Sequence, residues 1–282
     1  MVQMTSVVGN IPQNVLNCIS YLKKAKKQMV DIVIFPEVVT TGYILNSREE
    51  AFSLAETIPG KTTETFKKYC NSLNIYCIFG MIEKEEYNNH NNKNHSSLEN
   101  TRLYNTIVFL GPNGFFYKYR KVHLGYIGLD RFLDNGNNHF EIIRTPFGKI
   151  GILVCYDCLH PEATRILALQ GVQLVVLPTT WVLGREKNSE IIIPARALEN
   201  RIFFLALNKV GKERDFIFCG KSRLVNPEGD TLLLQTGKED FSIVEIELSE
   251  ADQKKIVLEK GKWEANYFQD RRPEMYRSLS LL

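Results

Sequence analysis

Three side chains suited to nucleophilic catalysis each stand at the end of an apolar, strand-like segment. Glu37 and Lys121 come just after such segments, and Cys155 directly follows the run 151–154. The carboxyl ends of strands are where sheet-based enzymes gather their catalytic groups, so the three side chains are expected to meet. Singly, each has a commoner structural interpretation: a helix cap or salt bridge for the Glu, inert core for the Cys, and surface for the Lys.

Together, the three residue types could supply a nucleophile, a base and an oxyanion stabiliser. A thiol with a free pKa of about 8.5 is mostly protonated at neutral pH, so a nucleophilic Cys155 needs a base or a cation beside it. Glu37 could accept the thiol proton and later deliver one to a leaving amine. Lys121 and the backbone N–H of Tyr156 could stabilise the oxyanion of a tetrahedral intermediate. Neither a Gly-x-Ser-x-Gly elbow nor a Cys–His signature is present.

The spacing Cys155-x-x-Cys158 leaves another class of function open, a redox dithiol or half of a zinc site. A second Cys-x-x-Cys is absent and the five histidines are scattered, which argues against zinc. We therefore expect no metal and no cofactor, and we interpret Cys158 as a packing residue behind the nucleophile. A disulfide between the two cysteines on oxidation is a further hypothesis.

Helical and strand-like patterns alternate along the chain without a composition break, which predicts one α/β domain over residues 1–282. A polar, Asn- and His-rich stretch near 87–100 is interpreted as a solvated loop insertion rather than a metal site. The predicted helices cover 14–29, 62–73, 161–171 and 191–200. The predicted strands cover 31–36, 76–81, 104–110, 115–119, 140–144, 149–154, 172–177, 202–209, 220–225 and 242–246.

The composition limits the classes of function. With 44% hydrophobic and 24% charged residues, the chain can form a sizeable core without disulfides or metals. Its net charge of +3 is too small and too scattered for a nucleic-acid partner. The apolar runs are far shorter than the ~20 residues of a membrane span, and a secretory signal is not evident. The dispersed cysteines are typical of reduced core residues, so we expect a cytoplasmic protein.

Six ordered blocks resemble the nitrilase superfamily of carbon–nitrogen hydrolases over nearly the whole chain. They are Val33-Ile34-Phe35-Pro36-Glu37 with Thr41-Gly42-Tyr43, Tyr119-Arg120-Lys121-Val122-His123-Leu124, Cys155-Tyr156-Asp157, Pro161-Glu162 with Arg165, Ala195-Arg196-Ala197-Leu198-Glu199-Asn200-Arg201, and Asp270-Arg271-Arg272-Pro273-Glu274-Met275-Tyr276. Any one block alone would be a weak match, but six in the family's order make a specific one.

The resemblance implies a four-layer α-β-β-α sandwich, commonly paired into homodimers or higher homo-oligomers. It implies that Glu37 is the general base, Lys121 the oxyanion stabiliser and Cys155 the nucleophile. Positions similar to those lining the family's substrate pocket are Tyr43, Thr180 and Trp181. The residues expected to brace the site or the dimer face are Asn105, Glu162, Arg165, Arg196, Glu199 and Asn200.

One position departs from the family pattern. Many members carry a second Glu about seven residues after the Lys, where it orients the ammonium group. The segment 125–131 contains no Glu, and Asp130 is its only acidic residue, two places late and one carbon shorter. The similarity therefore implies a weaker or displaced contact between Asp130 and Lys121.

The pair Tyr156-Asp157 after the nucleophile is more typical of amidases and N-carbamoyl hydrolases than of enzymes acting on nitriles. We therefore expect cleavage of a small amide or N-carbamoyl compound through a Cys155 acyl-enzyme, releasing ammonia or an amine. The alternative is an aliphatic nitrilase, since some such enzymes resemble this chain closely. A catalytically inactive fold used for assembly is a third hypothesis, and the presence of all three catalytic residue types argues against it.

Overall fold

Secondary structure is described here for residues 1–86, 98–137 and 139–280 of a computed structural model. The helices are α1 (Ile11–Lys27), α2 (Arg48–Leu54), α3 (Lys61–Leu73), α4 (Pro161–Leu169) and α5 (Ile193–Asn200). The strands are β1 (Val2–Gln3), β2 (Ile32–Ile34), β3 (Tyr76–Glu86), β4 (Thr101–Leu110), β5 (Phe116–Arg120), β6 (Ile143–Thr145), β7 (Gly148–Ile152), β8 (Leu174–Pro178), β9 (Phe203–Leu207), β10 (Val210–Glu213), β11 (Phe216–Cys219), β12 (Arg223–Val225), β13 (Thr231–Leu234), β14 (Asp240–Phe241), β15 (Lys255–Glu259) and β16 (Trp263–Asn266).

Two sheets form the centre of the fold. One has four strands in the order β2-β3-β4-β5, and β2 and β3 run parallel. The other has six strands in the order β13-β12-β9-β8-β7-β6, with β7, β8 and β9 parallel. Because parallel neighbours end at the same edge of a sheet, the residues that follow β7, β8 and β9 emerge side by side.

The inner faces of the two sheets pack against each other. Ile34, Ile78 and Ile107 of the smaller sheet share one buried cluster with Ile152 and Val176 of the larger sheet. All five are β-branched residues, which are favoured on a sheet face buried against another sheet.

Helices cover the two outer faces. The apolar side of α1 and Phe66 of α3 pack on the outer face of the smaller sheet, where Phe66 stacks on Phe79 with ring centroids 3.9 Å apart. Ala163 and Leu167 of α4 and Ala197 of α5 join the core of the larger sheet. The layers therefore follow the order α-β-β-α, and the predicted four-layer sandwich is confirmed.

The sequence-based prediction is wrong in a few elements. The predicted strand 242–246 does not form: β14 ends at Phe241, and residues 242–247 have no regular secondary structure. The hairpins β10–β11 and β15–β16 were not predicted. Most of the predicted insertion 87–100 lies outside the described residues, and only the short 3-10 turn Leu98–Asn100 is placed. Within the described residues, every helix is too short or too polar to span a bilayer.

Candidate active site

Four side chains from four strand ends meet between the sheets. Glu37 follows β2, Lys121 follows β5, Cys155 follows β7 and Thr180 follows β8. Glycine in β3 makes room for the Glu37 turn, since a Cβ at Gly80 would lie 2.2 Å from the backbone N of Val38. The turn can therefore rest directly on strand β3.

Lys121 bridges two carboxylates in a fully buried cluster. Its Nζ donates to Glu37 Oε1 at 2.9 Å and to Asp130 Oδ2 at 2.6 Å. Asn105 Nδ2 joins the same two carboxylates, at 2.7 Å to Glu37 Oε1 and 3.2 Å to Asp130 Oδ1. Lys121 is 1% exposed and Glu37 0%, so these charges interact in a medium that screens them far less than water does.

Glu37 is fixed through its second oxygen as well. Thr180 Oγ1 donates to Glu37 Oε2 at 2.6 Å. The carboxylate thus accepts hydrogen bonds from an ammonium, an amide and a hydroxyl group, which leaves its orientation little freedom.

Asp130 reaches Lys121 although it is one carbon shorter than the expected Glu. It lies in the 3-10 turn Gly128–Phe132, which brings its carboxylate to the ammonium group. Burial raises the pKa of Asp130, and the neighbouring ammonium opposes that shift. Burial alone would lower the pKa of Lys121, but Asp130 and Glu37 outweigh it and hold that pKa well above its ordinary value. Lys121 is therefore a cation at neutral pH.

Cys155 rests as a neutral thiol. Burial, followed by the charge of Glu37, raises the pKa of Cys155 well above its ordinary value, and Lys121 only partly offsets this. This environment provides a proton acceptor for the thiol and does not stabilise a pre-formed thiolate. Behind it, Cys158 is fully buried, and burial raises the pKa of Cys158 to about 12.

Backbone strain concentrates at the same place. Cys155 adopts a left-handed conformation with φ of 43°, and Val38, directly after Glu37, has φ of 39°. Such a conformation costs about 1–3 kcal/mol for a side chain with a Cβ, and more than usual for a β-branched one, so it persists only where the surroundings hold it.

Asp157 holds the turn that carries Cys155. The Asp157 carboxylate is fully buried, and its Oδ2 accepts hydrogen bonds from Val154 N at 2.9 Å and Tyr119 Oη at 2.9 Å. Its other oxygen accepts from His123 N at 3.0 Å and lies 2.7 Å from His123 Nδ1. The sequence analysis used Asp157 only as part of the Tyr156-Asp157 pair and did not predict that it holds this turn.

A cavity of about 820 Å³ opens onto Cys155. The residues expected to contact substrate, Tyr43, Thr180 and Trp181, line it together with Tyr156 and Asp130. Burial raises the pKa of Tyr43 well above its ordinary value, so its hydroxyl stays protonated and donates to Ile127 O at 3.2 Å.

The outer part of this cavity carries positive charge. Arg131, Arg185 and Arg214 line it alongside a single exposed carboxylate, Asp215. Arg214 forms an ion pair with Glu50.

The residues expected to brace the site divide into two groups. Asn105 contacts the carboxylates of Glu37 and Asp130 directly. A second group connects α4 and α5 with the turn before α4. Arg196 Nε donates to the carbonyl of Cys158 at 3.0 Å and its Nη1 to Glu199 at 2.9 Å, while Arg165 Nη2 donates to the carbonyl of Glu199 at 2.9 Å. These residues support the turn that carries Cys155 and do not line the cavity. The described residues contain no cluster of three or more metal-ligating side chains.

The chain is similar to several known proteins. A family model described as carbon-nitrogen hydrolase matches residues 1–256. The chain is 32% identical over 278 residues to a nitrilase from Pyrococcus abyssi, covering 98% of this chain and 97% of the relative. It is 28% identical over 274 residues to an omega-amidase from Homo sapiens, covering 93% and 91%.

A solved structure has a similar fold. It is a mutant of the amidase from Nesterenkonia sp. AN1, with the acetamide moiety of fluoroacetamide added covalently at the active site cysteine. The TM-score is 0.77 at 21% sequence identity, and the match covers 98% of this chain and 94% of that one.

Proposed function

The chain belongs to the carbon-nitrogen hydrolase family, and on that basis we propose that it cleaves a small amide or N-carbamoyl compound through an acyl-enzyme on Cys155. The observation that carries this proposal is the bridge from Lys121 to Glu37 and Asp130, buried directly behind the cavity that exposes Cys155. It supplies a base and a cation to one sulfur.

In the first step the thiol proton of Cys155 passes to Glu37 as the sulfur attacks the carbonyl carbon. A carbon–sulfur bond forms, and the carbonyl π electrons move onto oxygen. Lys121 and the backbone N–H of Tyr156 stabilise that oxyanion. When the tetrahedral intermediate collapses, the carbon–nitrogen bond breaks and the leaving nitrogen takes the proton from Glu37. Ammonia or an amine departs.

The second step repeats this chemistry with water. Glu37, again a carboxylate, accepts a proton from water, and the resulting hydroxide equivalent attacks the thioester carbon. Collapse of the second tetrahedral intermediate breaks the carbon–sulfur bond, and the proton returns to Cys155. A carboxylic acid, or a carbamic acid from an N-carbamoyl substrate, leaves the cavity.

A second candidate function is hydrolysis of an aliphatic nitrile to a carboxylic acid. It is favoured by the 32% identity to the nitrilase from Pyrococcus abyssi over nearly the full length of both chains. The omega-amidase and amidase relatives, and the Tyr156-Asp157 pair after the nucleophile, favour an amide. The two functions share the nucleophile and differ in whether an amide is a substrate or a slow side product.

The test is hydrolysis of an amide, an N-carbamoyl compound and a nitrile that share one carbon chain. Released ammonia and amine measure turnover, and intact mass detects the acyl-enzyme. We expect turnover of the amide or N-carbamoyl compound and a mass increase equal to the acyl group. The Cys155→Ala variant should lose both signals, whereas Cys158→Ala is the matched control. Preferred turnover of the nitrile would select the second candidate, and unchanged turnover by Cys155→Ala would refute the nucleophile.

We also propose a homodimer as the working assembly, in the cytoplasm. Exposed apolar side chains on the outer helices support the homodimer, among them Ile166 and Leu169 of α4 and Leu198 of α5. Such a row of apolar residues is typical of a contact surface. Light scattering across a range of protein concentrations measures the mass, and a monomer at all of them would contradict the assembly.

A further inference from the structure

A second buried ion pair lies outside the proposed catalytic centre. Lys209 is fully buried and Glu213 is 3% exposed, and Lys209 Nζ donates to Glu213 Oε1 and, at 2.6 Å, to Ser6 Oγ. Removing two charges from water is expensive, and well-packed apolar residues often replace such pairs with no loss of stability. Stability alone therefore gives little reason for charges at this place.

The other oxygen of Glu213 holds one wall of the cavity. Glu213 Oε2 accepts hydrogen bonds from the backbone N of Tyr43 at 2.8 Å and of Ile44 at 3.0 Å. Both residues line the cavity, and Tyr43 also reaches across to the carbonyl of Ile127. The position of this wall therefore depends on where the Glu213 carboxylate is held.

The hairpin β10–β11, which Glu213 belongs to, also holds a second part of the cavity wall. Cys219 N donates to the carbonyl of Trp181 at 3.0 Å, and Val182 forms a bridge with Phe218. Trp181 and Val182 line the cavity. One element thus contacts both parts of the wall, and the hydrogen bonds of Glu213 connect it to the Tyr43 part.

We propose that Glu213 is a positioning residue that sets the width of the acyl-binding cavity by holding the Tyr43 wall at a fixed distance from the Trp181 wall. Glu213 fixes the backbone of Tyr43 and Ile44, and Lys209 balances the buried charge of Glu213. The inference rests on the proposed function, because its consequence is discrimination among amides by the length of the acyl chain.

A rival role for the pair is electrostatic. Burial lowers the pKa of Lys209, and the charges of Glu213 and then Glu37 oppose that shift, so Lys209 interacts with the general base. If this interaction were the purpose of the pair, its removal would change the pH dependence of catalysis, whatever hydrogen bonds residue 213 still accepts.

Two double variants separate these roles. Lys209→Met/Glu213→Gln removes both charges but keeps an oxygen that can accept from Tyr43 and Ile44. Lys209→Met/Glu213→Ala removes the acceptor as well, and neither variant leaves a buried charge unpaired. Kinetics are measured with unbranched amides from acetamide to hexanamide. For the longer amides we expect the Ala variant to raise KM about tenfold with kcat within about threefold, since two backbone hydrogen bonds lose their acceptor, while the Gln variant keeps KM near the wild-type value.

The other outcomes overturn the inference. Wild-type KM in both double variants would show that the pair is only structural. An equal shift of the pH profile in both, with KM unchanged, would show the electrostatic role. Glu228→Gln, which breaks an ion pair with Arg201 away from the cavity, is the matched control and should leave KM unchanged. If the Ala variant fails to fold, Glu213→Asp keeps the charge but shortens the reach, and it should raise KM in the same way.

A readout without turnover keeps this test separate from the proposed function. Alkylation of Cys155 by N-phenyl iodoacetamide is compared with alkylation by iodoacetamide, using intact mass. The ratio is the rate with N-phenyl iodoacetamide divided by the rate with iodoacetamide. We expect the Ala variant to raise this ratio about fivefold and the Gln variant to leave it unchanged. If wild-type protein hydrolyses no amide, the proposed function fails, and this ratio still decides the role of the pair; equal ratios in all variants would refute it.

Discussion

The substitution Asp130→Asn tests the separate roles of the two buried carboxylates, Asp130 and Glu37. The substitution preserves the size of the side chain and removes one of the two carboxylates that hold Lys121. Lys121 Nζ then loses its 2.6 Å partner and is left with Glu37 Oε1 as its ionic contact. Glu37 is then the one carboxylate that holds the ammonium group in place.

The size of the effect follows from the lost contact. A hydrogen bond between charged groups contributes about 2 kcal/mol, and losing that much stabilisation of the transition state slows the reaction about 30-fold. We therefore expect amide hydrolysis by Asp130→Asn to fall about 30-fold in kcat/KM. Glu at this position restores the charge, and Asp130→Glu should recover most of the activity.

Alkylation of Cys155 should change in the opposite direction. Burial and the charge of Glu37 raise the pKa of Cys155, Lys121 lowers it, and Asp130 adds a smaller increase. Removing the Asp130 charge therefore lowers the pKa of the thiol. At a fixed pH below that pKa a larger fraction of the sulfur is ionised, so iodoacetamide should react faster with Asp130→Asn than with wild type.

The assay pairs these two rates on the same preparations. Ammonia release gives the hydrolysis rate, and intact mass gives the alkylation rate across a range of pH. Hydrolysis within about threefold of wild type would contradict the role of Asp130 in holding Lys121. Slower alkylation, or a pH midpoint that moves upwards, would refute the electrostatic reasoning about the thiol.

Three further substitutions probe separate features. Thr180→Val removes the 2.6 Å hydrogen bond to Glu37 Oε2 and should lower kcat about tenfold with little change in KM; a change confined to KM would count against it. Arg185→Ala should lower kcat/KM about tenfold more for succinamic acid than for butyramide, because it removes a cation from the cavity lining, and equal losses on both would argue against an anion contact. Phe66→Ala, which deletes the ring stacked on Phe79, should destabilise the fold by about 3–5 kcal/mol in urea titrations. The kcat/KM of Phe66→Ala per folded molecule should match that of wild type. A marked loss of kcat/KM would show that packing on the outer face of the smaller sheet is coupled to the site.

The sequence predicted the meeting of Glu37, Lys121 and Cys155 because each residue follows a strand, and strand ends converge in a sheet enzyme. That signal is local: an apolar run, then a polar residue. It also predicted most helices and inner strands, since their apolar periodicity reflects one buried face. The short hairpin strands carry no such pattern, and they were missed.

Contacts between distant residues could not be predicted in this way. Thr180 and Glu37 are 143 positions apart, and no local pattern relates them. Lys209 and Glu213 are of residue types that usually face solvent, so only the folded structure reveals their burial. The contacts of Asp157 could not be predicted either, because its partners Tyr119 and His123 lie in strand β5 and in the loop that follows β5.

The charges of the proposed catalytic cluster explain why a protonated thiol suits this site. The proposed mechanism starts from two carboxylates, Glu37 and Asp130, the Lys121 ammonium group and the neutral Cys155 thiol, a set with a net charge of minus one. When the sulfur attacks, its proton neutralises Glu37 while one negative charge develops on the substrate oxygen. The net charge is unchanged, so the buried site needs no counter-ion from water during the step. The negative charge instead moves from a carboxylate to the oxyanion, and Lys121 Nζ, released from one partner, becomes available to stabilise it.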